Sequence, residues 1–159
     1  MSLIVISNAT PIISLSSVGC EFILKELFGH IIIAQAVNRE LKALDKPGFS
    51  FCDYKWVETV SIQNKEITDF LMKDLDKGEA ETIALAKEME ADVVIIDENA
   101  GYQIANLFDL PVVRTLSILK VAKNKNIIRQ IRPVVEEMIQ KGRWYSKIVI
   151  DKFLRDVGE

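Results

Sequence analysis

LIVISNATPIISL, residues Leu3 to Leu15, is the stretch on which the reading of the whole chain turns. Leu3–Ile6 is short, apolar and largely β-branched, as expected of a strand buried on both faces. Ser7-Asn8-Ala9 ends the run. Thr10-Pro11 then suits a helix start, with Thr10 as N-cap and Pro11 in the first turn. A buried strand delivered straight into a helix is the opening of a βαβ unit. It puts Asn8 where the strand leaves the sheet, the rim at which open parallel sheets bind their ligands.

The same alternation continues outward. EFILKELFG (Glu21–Gly29) is a short helix that Gly29 closes. IIIA (Ile31–Ala34) is a second buried strand, and QAVNRELKAL (Gln35–Leu44) a helix, with Ala34, Val37, Leu41 and Leu44 as its apolar stripe. Pro47-Gly48 marks a loop. WVETVSI (Trp56–Ile62) is expected as a strand despite imperfect alternation, and KEITDFLMKDL as a helix. After Gly78, EAETIALAKEMEA (Glu79–Ala91) is a run of strong helix formers with an acidic first turn. DVVIID (Asp92–Asp97) is the clearest strand. A helix (NAGYQIANLFDL), a short strand (PVVR) and a helix that Thr115 can cap (TLSILKVAKNKN) follow. Arg132 to Glu159 forms one or two helices broken around Gly142. Buried strands alternating with helices predict one domain over residues 1–159, a three-layer α/β/α sandwich around a mainly parallel sheet.

Composition excludes several classes. No apolar run approaches the roughly 20 residues of a membrane helix, and the N-terminus lacks the basic flank of a signal peptide. Cys20 and Cys52 have no metal-ligand spacing, so a reduced, cytoplasmic setting is expected. His30 is the only histidine, which leaves little for histidine-based triads or zinc sites; any metal would be held by oxygen. Residues 1–113 carry 9 Lys+Arg against 18 Asp+Glu, whereas residues 114–159 carry 11 against 5. An acidic site beside a basic rim suits a metal-dependent enzyme acting on a polyanion, although clustered surface charge also arises with no such role.

Asn8 follows the first strand and Asp97 ends the fourth, so both belong on the sheet's carboxyl rim. Glu40 lies at the edge of its helix's apolar stripe. Glu79 stands at a helix start, and Glu81, two residues on, cannot face the same way, so at most one of the pair joins a cluster. Each acid alone has an ordinary role: Glu79 at a helix dipole, Glu40 in solvent, Asp97 in a turn, Asn8 bonded to its own turn.

Together, VISNATPIISL, IIIAQAVNREL, DKGEAETIALAKEMEADVVIIDENAGYQIANLFDLPVVRTLSIL and the closing IDKFLRDVGE resemble the PIN-domain family, metal-dependent nucleases of the toxin–antitoxin type. The resemblance implies three or four acids holding Mg2+ or Mn2+ to activate a water that cuts single-stranded RNA. Glu40, Glu79 and Asp97 match the second, third and fourth acids, and Thr10 the supporting hydroxyl. Asn8 replaces the first aspartate. An amide carbonyl can still ligate a hard cation, but it brings no charge and takes no proton. The resemblance further implies a homodimer and a small antitoxin partner. A relative that binds RNA or a protein without cutting is the alternative. A receiver-like signalling domain lacks its acids after the first strand, and a dinucleotide-binding fold lacks G-x-G-x-x-G.

Arg114, Lys120, Lys123, Lys125, Arg129 and Arg132 recur at spacings that suit one basic surface. Arg143-Trp144-Tyr145 sets a guanidinium beside two aromatics that suit stacking on unpaired bases, though packing of the last helix on the core is the favoured role for Trp144 and Tyr145.

Overall fold

The computed structural model describes residues 2–43, 45 and 47–159. Five strands, β1 (Val5–Ser7), β2 (Ile31–Ala34), β3 (Val57–Val60), β4 (Val93–Ile95) and β5 (Val112–Val113), form one sheet in the order β3-β2-β1-β4-β5. Every pairing is parallel, with Ile6 opposite Ile32 and Ser7 opposite Ile95. β1, β2 and the inner residues of β4 are buried, as their β-branched sequences predict.

Nine helices are present among the described residues: α1 (Ala9–Ser17), α2 (Phe22–Phe28), α3 (Gln35–Ala43), α4 (Lys65–Leu71), α5 (Lys77–Glu88), α6 (Asn99–Leu107), α7 (Thr115–Asn124), α8 (Arg132–Gln140) and α9 (Lys147–Asp156). They cover the sheet as a three-layer α/β/α sandwich, with α5 packed across β1, β2 and β4 and against α3, α4 and α6. A single core runs through the molecule, with Ile6, Ile12, Ile33, Leu41, Ile83 and Ile95 fully enclosed. Among the described residues no helix is long and apolar enough to cross a membrane. Cys20 and Cys52 are free, half-buried thiols.

Several boundaries depart from the sequence expectation. Asn8, not Thr10, occupies the N-cap position of α1, because its backbone N–H is drawn to Ile95 O (2.9 Å) as a last rung of the β1–β4 ladder. Its side chain makes no cap bond, and Thr10 is free to point elsewhere. α5 begins at Lys77, since the Asp76 carboxylate accepts from the Glu79 N–H at 2.8 Å and places Gly78 inside the first turn. α7 has Arg114 at its N-cap position, with Thr115 as its first residue. The strand expected over Trp56–Ile62 is confined to Val57–Val60, and the helix after it stops at Leu71. Leu44 of the expected α3 stripe lies outside the described residues.

The strand order reverses at β1. The chain moves outward through β2 and β3, then returns to start β4 on the other side of β1. The crevice between the carboxyl ends of β1 and β4 is therefore the topological switch point, where ligands of open α/β sheets bind.

Candidate functional site

Asn8 leaves β1 on one side of that crevice, and Asp97 and Glu98 leave β4 on the other. Asn8 is 3% exposed; its Nδ2 donates to Glu98 Oε2 at 3.4 Å, and the buried Oδ1 has no hydrogen-bond partner. The Thr10 hydroxyl donates to the other oxygen of Glu98. Glu98 is thus drawn inward by two residues of the β1–α1 junction.

The remaining acids arrive from α3 and the start of α5. Gly78 has no side chain where three oxygens meet: a Cβ there would lie 3.0 Å from Glu40 Oε2 and 3.5 Å from both Asn8 Oδ1 and Asp76 Oδ1. Glu79, next in sequence and 7% exposed, lies under Gly101 of α6, whose Cβ would stand 2.9 Å from Glu79 Oε2. Two glycines therefore leave room for carboxylates. Burial first, then a hydrogen bond shared with the Asp76 carboxylate and repulsion from Asp76 and Glu98, push the Glu79 carboxyl up to about 8. Burial, with carboxylates close by, thus favours the protonated form of Glu79.

Asn8, Glu40 and Glu79 thus converge on one region. Glu81 does not: it is buried with Oε1 accepting from the Ala36 N–H at 3.0 Å, where it caps the start of α3. Asp97 stands beside the cluster with its carboxylate turned to α7. Thr115 N–H donates to its Oδ1 (2.8 Å) and Thr115 Oγ1 to its Oδ2 (2.7 Å). Arg143 Nη2 lies 3.4 Å from the same Oδ2, and Arg114 donates to the Asp97 carbonyl at 3.2 Å. Sequence reasoning missed Asp76 and Glu98. The Asp76-x-x-Glu79 spacing of a capped helix and the Asp97-Glu98 doublet were the available signals.

Among the described residues no three carboxylate, imidazole or thiol groups are by themselves arranged to hold a metal ion, so any ion here would also need the Asn8 carbonyl or water. The donors that face one another are all oxygen, one of them an orphaned carbonyl, and excess negative charge surrounds them. Such a set fits a hard divalent cation and not a thiophilic one.

Two of the basic residues singled out in the sequence are tied to the chain's end. Lys123 and Arg132 are engaged by the last residue: Lys123 Nζ meets Glu159 Oε2 at 2.8 Å, and Arg132 donates to Glu159 O at 2.8 Å. The site instead opens into two clefts with cations on their walls. One, of about 430 Å3, holds Arg39, Glu40, Asp76 and Lys77. The other, of about 540 Å3, holds Asp97, Glu98, Arg114, Arg143 and Trp144. Tyr145 is partly buried against the core with the Arg143 guanidinium 4.7 Å above its ring, as expected of a packing residue. Trp144 is not: it is 78% exposed, because the turn at Gly142 carries it outward.

A family model described as a PIN domain matches residues 4–159, nearly the full chain. The chain belongs to the PIN-domain family. The fold of this PIN domain is accordingly nuclease-like. Neither the comparison with curated proteins nor that with solved structures gives a match.

Proposed function

We propose that this PIN domain is a metal-dependent endoribonuclease acting on single-stranded RNA, with Mg2+ or Mn2+ as its cofactor. The observation that supports the reading best is the group of oxygens around Gly78: Glu40 Oε2, Asp76 Oδ1 and the unpartnered Asn8 Oδ1, with Glu79 and Glu98 adjoining. Asn8, Glu40 and Glu79 would hold the ion, with Asp97 and Glu98 on the β4 side of the same rim and Thr10 fixing Glu98. A divalent cation supplies there the neutralisation of phosphate charge and a lowered pKa for water. The chain's own part is orientation. Asp97 anchors the N-terminus of α7 and holds Arg143 in the cleft, and Arg114 stacks over Tyr102 at 4.1 Å, so two guanidiniums line the cleft in which a phosphate would lie. On this reading the chain is the toxin of a toxin–antitoxin pair, a homodimer whose small antitoxin covers the acidic crevice.

A second reading rests on Asn8. Its amide donates to Glu98, so the position that would carry the first acid instead quiets a neighbouring one. A protein of this kind binds RNA or a protein partner without cutting. Cleavage of an unstructured RNA in Mn2+, with wild type beside Asn8→Asp, Glu79→Gln and Asp97→Asn, decides between them. Cutting by wild type that vanishes in Glu79→Gln supports the nuclease. Cutting by Asn8→Asp alone supports the binding protein, and silence from all variants removes support from the nuclease.

A further inference from the structure

Trp144 is among the most exposed large apolar side chains of the described residues. Its indole is 78% exposed in the loop between α8 and α9, although among the described residues 34 hydrophobic residues find places in one core. The loop is nevertheless anchored. Gly142 turns it with φ +105°, a conformation that favours glycine, and Arg143 is pinned between the Asp97 carboxylate at 3.4 Å and the Tyr145 ring. Trp144, next to this anchor, lies on a wall shared by two clefts, of about 540 and 460 Å3. Both clefts also contain Glu98, which belongs to the carboxylate crevice. Arg114 and Arg143 line one of them, and Lys141 the other. A flat aromatic flanked by cations, at the mouth of an acidic site, has the chemistry of a single-strand platform: the ring takes a base and the cations take phosphates.

We infer that Trp144 is a base-stacking platform for single-stranded RNA, which seats one nucleotide beside the crevice and sets which phosphodiester lies over the carboxylates. The inference rests on the nuclease reading for the nature of the polymer, but it requires binding only and no cleavage. Ile148 (80% exposed) and Val149 (52%), in the first turn of α9, extend an apolar surface next to the loop, so a protein interface is the competing occupant. The cations in both clefts and their continuity with Glu98 favour the nucleotide.

The test is an anisotropy titration of the full chain in EDTA with a labelled, unstructured RNA of about eight nucleotides, beside the same oligomer with abasic sites. Trp144→Ala is expected to weaken the intact oligomer about ten- to a hundredfold, and Trp144→Phe less than about threefold. The abasic oligomer is expected to bind wild type and Trp144→Ala alike. Equal binding of intact RNA by wild type and Trp144→Ala overturns the platform while leaving the nuclease reading in place. Equal weakening on the abasic oligomer, or loss of a dimer in Trp144→Ala with RNA affinity unchanged, also overturns it. RNA that shows the Trp144 increment in EDTA but is left uncut by the wild type in Mn2+ upholds the platform and removes the nuclease.

Discussion

Replacing Asn8 by aspartate exchanges one heavy atom, nitrogen for oxygen, and tests the electrostatics of the crevice directly. The amide nitrogen now donates to Glu98 Oε2 over 3.4 Å, a long bond contributing about 0.5–1 kcal/mol. In Asn8→Asp an oxygen takes that place, and two unit charges at 3.4 Å repel by about 5 kcal/mol at an effective dielectric constant near 20. The site escapes most of this by sharing one proton between the two carboxyls, as close carboxylate pairs do. Apo Asn8→Asp should therefore be less stable than wild type by about 2–4 kcal/mol at pH 8. An acid whose folded pKa is raised contributes stability that is full below its unfolded pKa and lost as pH rises through the folded one, so the deficit should shrink towards pH 5. A divalent cation reverses the ranking, because the added charge attracts the ion. Urea denaturation at pH 5.5 and pH 8, in EDTA and in Mn2+, reads all of this. Equal apo stability at both pH values, with no greater gain from Mn2+ than in wild type, would refute the placement of Asn8 beside Glu98.

Glu79, raised to about 8, predicts that apo wild type loses stability as pH rises from about 5 to 8, by at most about 1.4 kcal/mol per pH unit, and that Glu79→Gln removes this slope; chemical denaturation across that range checks it. Metal binding expels the same proton, so apparent Mn2+ affinity should climb with pH up to about 8. Glu79→Gln should weaken Mn2+ binding far more than Glu81→Gln, which keeps an acceptor for the Ala36 N–H; Glu81→Ala should instead cost about 1–3 kcal/mol of stability by leaving that donor unpaired. Gly101→Ala should leave melting temperature nearly unchanged, since helix propensity offsets contact with Ile96, yet reduce Mn2+ affinity severalfold because the methyl group stands 2.9 Å from Glu79 Oε2. Thr115→Val should cost about 1.5–3 kcal/mol in thermal unfolding by removing a hydroxyl bonded to the Asp97 carboxylate.

The layers of the fold were legible because β1, β2 and β4 are covered on both faces and therefore read as unbroken β-branched runs. Strand order was not, since nothing in a local pattern says that β4 returns to the far side of β1. Asn8, Glu40 and Glu79 could be picked out by their positions at strand ends and helix edges. Asp76 escaped because Gly78 reads as a break, whereas here glycine sits inside a capped first turn for the space it leaves to Glu40. Glu98 escaped because β4 ends at Ile95, beyond which alternation no longer dictates side-chain direction. Only three dimensions show that Thr10 and Asn8 hold Glu98 while Thr115 holds Asp97. Trp144 lies in a loop with no periodicity, so its exposure had no signature in the chain.

The most direct measurement is a calorimetric titration of Mn2+ into the apo protein at pH 8, with wild type beside Glu79→Gln. A saturable site in wild type that is largely lost in Glu79→Gln is the expected result. No saturable binding by wild type, or binding undiminished by Glu79→Gln, would contradict the assignment of the crevice around Gly78 as a divalent-cation site.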